Sequence, residues 1–132
     1  MDIKQEMLDL KKWAVVGVSA KKDKWGYKIW KILKDHGYET YGVNPNYEEI
    51  EGEKIYKSLA DLPVKVDVID VVVPKNLTMV SLEEAKELGI EYIFLQPGTY
   101  DDKVVDKAEE LDLKYLVSDC IYATLKKMEK SQ

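Results

Sequence analysis

The 132-residue chain has one cysteine, one histidine and one phenylalanine, and none of its 20 basic residues is arginine. With Cys120 alone there is no internal disulfide and no site built from several thiolates, a composition that suits a reducing cytosol. Without arginine, phosphate and carboxylate cannot be held by a planar guanidinium fork, and positive charge must come from flexible lysines. His36 falls where a helix is expected to end, so no Ser-His-Asp, Cys-His or metal-ligand set assembles around it. No run of 18 apolar residues occurs and residues 1–6 lack an apolar stretch, so neither a membrane span nor a secretion signal is expected. With 25 acidic residues and a net charge of -5 there is no overall field toward nucleic acid or an anionic membrane.

What is present is a rhythm. Short β-branched runs at 13–19, 39–45, 67–74, 92–97 and 114–119 read as about five strands buried on both faces. Between them lie helical spacings. Ile29, Trp30, Ile32 and Leu33 form a stripe over 26–36, Leu77, Val80, Ala85 and Leu88 over 76–88, and Val104, Val105, Ala108 and Leu111 over 100–111. Gly37 and Gly89 stand where a left-handed residue would close the first two helices. Amphipathic helices are expected at 2–12 and 121–130, and one short helical turn at 58–62 within a stretch, 45–63, that has no long helix. One α/β domain over 1–132 is expected, with a parallel sheet covered by helices on both faces. Such sheets bind ligands at the carboxyl ends of their strands.

After the first strand come Gly17, Val18 and Ser19, then Lys21, Lys22, Lys24, Gly26 and Tyr27. Glycine permits close backbone approach, a helix start offers free amides and lysines offer charge, a combination suited to phosphate. The bland alternative is a tight turn beside solvated lysines. G-x-G-x-x-G is absent, since position 19 is Ser and position 22 is Lys, and the second strand ends in Asn44-Pro45 where a nicotinamide-dinucleotide site would offer an acid. There is no Walker A motif either. The third strand ends in Val73-Pro74-Lys75 and the fourth in Gln96-Pro97-Gly98. A carboxamide at a buried strand end needs partners, which a ligand or the backbone can supply. Cys120, after the fifth strand, is either a thiol near a ligand or a small apolar residue. Trp25 either covers a ligand or partner surface or caps the core.

Taken together, Ala14-Val15-Val16-Gly17-Val18-Ser19, Gly37-Tyr38-Glu39, Val43-Asn44-Pro45-Asn46-Tyr47, Ile50-Glu51-Gly52, Tyr56-Lys57-Ser58-Leu59-Ala60-Asp61-Leu62-Pro63, Asp67-Val68-Ile69-Asp70-Val71, Leu95-Gln96-Pro97-Gly98 and Val117-Ser118-Asp119-Cys120 resemble the small CoA-binding protein family, similar in fold to the CoA-binding domain of the succinyl-CoA synthetase α subunit. The resemblance implies a single Rossmann-like domain that binds coenzyme A or an acyl-CoA. It implies that Gly17, Val18 and Ser19 approach the phosphates, with Lys24, Gly26 and Tyr27 completing that loop. Asn44 and Pro45 would lie beside the nucleotide, Val73 and Pro74 would line the adenine side, and Gln96 and Gly98 would stand at the next strand end. Lys22 and Lys75 are weaker candidates. The chain departs from the family pattern at Lys24, usually arginine, and at Trp25-Gly26, usually Pro-Ser. The ligase's phosphorylated histidine comes from a second domain, so ligase activity does not carry over. A module that binds without catalysis is the leading expectation. A small NAD(P)-dependent or CoA-processing enzyme and an interaction module with a vestigial nucleotide site are the alternatives. A homodimer or an unidentified protein partner is compatible with the sequence.

Overall fold

The computed structural model describes residues 2–130. Along the chain run α1 (Ile3–Asp9), β1 (Lys12–Val16), α2 (Trp25–Asp35), β2 (Glu39–Val43), β3 (Glu49–Ile50), β4 (Glu53–Tyr56), a single 3-10 turn (Leu59–Asp61), β5 (Val68–Val71), α3 (Lys75–Leu88), β6 (Tyr92–Leu95), α4 (Asp102–Glu110), β7 (Lys114–Leu116) and α5 (Ile121–Lys130). The strands form one sheet in the order β3-β4-β2-β1-β5-β6-β7, parallel throughout except for the β3–β4 pair.

Because successive strand residues point to opposite faces, each apolar run feeds two cores. Trp13 and Val15 of β1, with Val68 and Phe94, pack against α1, α2 and α5 through Met7, Trp30, Ile121 and Leu125. Ala14 and Val16, with Ile69, Val71, Ile93 and Leu95, pack against α3 and α4 through Leu82, Ala85, Val104 and Ala108. Every residue of β5 is buried, which explains its unbroken apolar reading apart from Asp70. Gly37 and Gly89 close α2 and α3 with positive φ, as their positions predict.

The sheet has seven strands rather than about five. The stretch 45–63 contains a small hairpin, β3 and β4, turned by Glu51 and Gly52, both at positive φ. Only Ile50 and Ile55 of this hairpin are buried, so no apolar run announces it, and its glutamates and lysines suit an exposed edge. The remaining strands are shorter than the apolar runs. Pairing in β1 stops at Val16, in β5 at Val71 and in β6 at Leu95, which leaves Gly17, Val72 and Gln96 to begin loops at the carboxyl edge. Helix α1 ends at Asp9 because Leu10 is already extended and Lys12 enters β1.

From β1 the chain crosses to β2 on one side, and β5 lies on the other. Connections leaving the carboxyl ends of β1 and β5 therefore diverge, opening a crevice between them. Among the described residues no helix is long and apolar enough to cross a membrane.

Candidate functional site

Gly17, the first residue after β1, has φ +104, and a Cβ there would stand 2.8 Å from Val73 Cγ1 and 3.0 Å from the Val72 carbonyl carbon. The loop after β1 therefore lies flush against the end of β5. Gly26, in the first turn of α2, is held by packing: a Cβ would stand 2.2 Å from the Gly17 carbonyl oxygen. Over this floor opens a cleft of about 780 Å³, lined by Ser19, Lys21, Lys24, Trp25, Ile29 and Tyr47 and by Pro74, Gln96, Pro97, Gly98, Thr99 and Cys120. A second hollow of about 370 Å³, lined by Asn44, Pro45, Asn46, Lys57, Leu77 and Glu84 among others, shares Gly17, Val72, Val73 and Pro74 with the first. The two make one groove straddling the carboxyl edge of the sheet.

The lysine-bearing loop is tied down by its neighbours. Asn44 Nδ2 donates to the Val18 carbonyl (2.8 Å), while Asn44 Oδ1 accepts from the Asn46 amide (2.9 Å). Ser19 Oγ accepts from the Lys21 amide (3.1 Å) and lies 3.5 Å from the Tyr47 hydroxyl. Hydrogen bonding from Ser19 and from the Ala20 backbone, with the charge of Lys21 behind them, holds the Tyr47 hydroxyl below its ordinary pKa although partial desolvation opposes this. Donors thus converge on one oxygen in a chain of net negative charge.

Helix termini sharpen the contrast. Helices α1 and α4 are capped by Asp2 and Asp101, whose carboxylates accept from Lys4 and Val104 amides. Helices α2 and α3, which start at the groove, have Lys24 and Pro74 as N-caps, no side-chain cap and no acid in the first turn. Their amino ends thus carry partial positive charge without a carboxylate to answer it.

Beneath the cleft, Asp70 of β5 is fully buried, and Gln96 Nε2 donates to both its oxygens at 2.8 and 3.0 Å. Burial pushes the Asp70 carboxyl well above its usual range despite those hydrogen bonds. Gln96 is itself 3% exposed, and its Oε1 has no partner. The partner that the Gln96 amide group was expected to need is therefore a buried acid, and half of the amide is still unanswered.

Of the residues expected at a site, Gly17, Ser19, Lys24, Gly26, Val73, Pro74, Gln96 and Gly98 line the larger cleft, and Asn44 and Pro45 the smaller hollow. Val18 and Tyr27 line neither. Val18 is fully buried with its side chain against Gly42, and Tyr27 packs in the core beside Trp30 and donates to Glu51 Oε2 at 2.6 Å. Lys22 and Lys75 are exposed and line neither compartment. Lys21, one of the loop lysines expected to offer charge, also lines the cleft, and Ile29, Tyr47, Pro97 and Thr99 join it without having been singled out as binding residues. Tyr47 could have been found from its aromatic ring three residues after Asn44, but not its pairing with Ser19. Trp25, 52% exposed, rests edge-on against Tyr122 with centroids 5.4 Å apart and carries Lys28 Nζ 4.7 Å above its ring. His36 lies elsewhere, bonded to Glu129 at 2.8 Å. Among the described residues no three acidic, histidine or cysteine side chains gather as metal ligands.

A family model described as a CoA binding domain matches residues 11–126. The chain is 32% identical over 116 residues to an ADP-forming acetate–CoA ligase of Methanocaldococcus jannaschii, covering 82% of this chain but only 16% of that one. It is 27% identical over 120 residues to the uncharacterized Bacillus subtilis protein YneT, covering 91% of this chain and 89% of YneT. Among solved structures, a hypothetical protein from Pyrococcus horikoshii superposes with a TM-score of 0.89 at 35% identity, over 97% of this chain and 90% of its own. The groove's position, the order of the strand-end residues and a match running from before β1 into α5 agree, and the chain belongs to the CoA binding domain family.

Proposed function

We propose that this protein binds coenzyme A or an acyl-CoA along the groove without catalysis of its own. The observation that carries this reading is the pair of uncapped helix starts, α2 and α3, meeting across Gly17 at the switch point with Lys21 and Lys24 on the rim. Backbone amides at such starts favour anionic oxygens, and lysines add charge where arginine is lacking. The residues fit a phosphate-bearing ligand: Ser19 and Tyr47 supply hydroxyls at the rim of the cleft.

Asn44, Pro45, Val73 and Pro74 form the nucleotide end of this reading, in and beside the smaller hollow. Asn44 is neutral and both ends of its amide are engaged, so the end of β2 offers no carboxylate to a ribose diol and none to repel a phosphorylated ribose. Gln96, Gly98, Trp25 and Ile29 form the other end, suited to an uncharged arm. The chain's single histidine stands outside the groove, which favours binding over acid–base catalysis. A calorimetric titration with CoA, with ADP and NAD as comparators, tests the proposal. CoA binding tighter than either comparator supports it, and NAD binding in place of CoA overturns it.

A further inference from the structure

Among the described residues five large apolar side chains are exposed, Trp25, Leu77, Val80, Leu88 and Met128, and of these Trp25 alone lines the larger cleft. It is also the largest of the five, and 52% exposed. The ring is nevertheless held in place. It stands edge-on to Tyr122 with centroids 5.4 Å apart, and Lys28 Nζ lies 4.7 Å from its centre. Tyr122 is half-buried and packs against the core shared by α1, α2 and α5, so the contact ties an exposed aromatic at the start of α2 to α5. A side chain already fixed beside a cleft loses little conformational freedom when a ligand covers it.

The chemistry of the lining fixes what kind of group would cover it. Ile29, Val72, Val73, Pro74 and Pro97 are apolar, and no acid among the described residues lines the cleft. Its two charged side chains, Lys21 and Lys24, are those that the proposed function sets against phosphate. The polar side chains are engaged within the protein: Gln96 Nε2 donates to Asp70, Thr99 Oγ1 donates to the Gln96 carbonyl at 2.7 Å, and Ser19 Oγ accepts from the Lys21 amide. A hydrocarbon chain laid against Trp25 would therefore leave water for apolar surface, whereas a carboxylate there would lose its hydration without a free partner. We infer that Trp25 is a specificity-determining residue, and that the groove prefers CoA thioesters of uncharged aliphatic acids to free CoA and to thioesters of dicarboxylic acids. The inference rests on the proposed CoA-binding function and narrows its ligand. The acyl chain lies against the indole, and Tyr122 acts through Trp25 as a positioning residue.

The test is calorimetric titration of the full chain with free CoA and with acetyl-, butanoyl-, hexanoyl- and succinyl-CoA. Each fully buried methylene is worth about a four-fold gain in affinity. Four methylenes against a wall that is open on one side should make hexanoyl-CoA at least ten-fold tighter than acetyl-CoA, with free CoA weaker than hexanoyl-CoA. Succinyl-CoA, with as many acyl carbons as butanoyl-CoA and a carboxylate in addition, should bind at least five-fold more weakly than butanoyl-CoA. In Trp25→Ala the hexanoyl-to-acetyl ratio should fall below three-fold with circular dichroism unchanged, and Trp25→Phe should give a ratio between that of Trp25→Ala and that of the parent. A ratio below ten-fold in the parent, succinyl-CoA binding as tightly as butanoyl-CoA, or a chain-length gain that survives Trp25→Ala would overturn the inference and leave CoA binding intact. Absence of binding by free CoA and by all four thioesters would remove both.

Discussion

Replacing Asp70 by asparagine exchanges one buried carboxyl oxygen for an amide nitrogen and should stabilise the protein at neutral pH. Asp70 is fully buried, and Gln96 Nε2 is the donor that answers its carboxylate. Burial raises the carboxyl's pKa well above the 3.8 of an exposed aspartate. Above pH 3.8 the unfolded chain has released this proton while the folded one still holds it, so folding becomes less favourable as pH rises. The loss is roughly 1 kcal/mol per pH unit and stops once the folded carboxyl has also ionised. The Asp70→Asn substitution would remove that dependence. The new carboxamide's oxygen keeps the bond from Gln96 Nε2, and its N–H can answer Gln96 Oε1, now without a donor, which is worth about 1–3 kcal/mol. At pH 7 the Asp70→Asn variant should be more stable by about 2 kcal/mol, a urea midpoint higher by roughly 1 M for a slope near 2 kcal/mol/M. At pH 4 the two proteins should be nearly equal, since protonated Asp70 can itself donate to Gln96 if the amide turns over. Urea unfolding at pH 4, 5.5 and 7 measures the difference, in which titrations common to both proteins cancel. A variant less stable at pH 7, or a difference independent of pH, would refute the account of this pair.

Gly26→Ala puts a Cβ 2.2 Å from the Gly17 carbonyl oxygen and should cost about 1–3 kcal/mol, seen as a fall of several degrees in Tm together with weakened CoA binding. Lys21→Ala and Lys24→Ala should each weaken CoA binding two- to five-fold in calorimetry, as expected for exposed charges worth about 0.5–1 kcal/mol, and salt should shrink the difference. Trp13 and Trp30 are fully buried whereas Trp25 stands at the cleft, so CoA should change the tryptophan emission and Trp25→Phe should abolish the change.

Much of this groove could be read before the fold was known. The apolar runs at 13–19, 39–45, 67–74 and 92–97 extend a little past the paired strands and take in Gly17, Asn44, Val73-Pro74 and Gln96, because a parallel strand loses its ladder and its double-sided burial at the carboxyl edge, and that is where the cleft lies. Other parts were not legible, for stated physical reasons. The β3–β4 hairpin buries only two isoleucines, so it has no periodic signal. Tyr27 sits on the buried face of α2, and its place near the lysine loop in sequence says nothing of the turn that points it toward Glu51. Gly26 reads as a phosphate-loop glycine but is required by the approach of α2 to Gly17. The Asp70–Gln96 pair joins residues 26 apart on adjacent strands, a distance that only strand register closes. An acid in the middle of the most apolar strand was the one sign of it.

The most direct test of the central claim is a two-dimensional amide NMR titration of isotopically labelled protein with CoA. The account predicts that the largest shifts fall on Gly17, Ser19, Lys21, Gly26, Asn44 and Gly98, on both compartments of the groove, while amides at the amino edge of the sheet such as Gly37 and Gly89 stay in place. Saturable shifts centred away from the carboxyl ends of β1 and β5, or none at millimolar CoA, would contradict it.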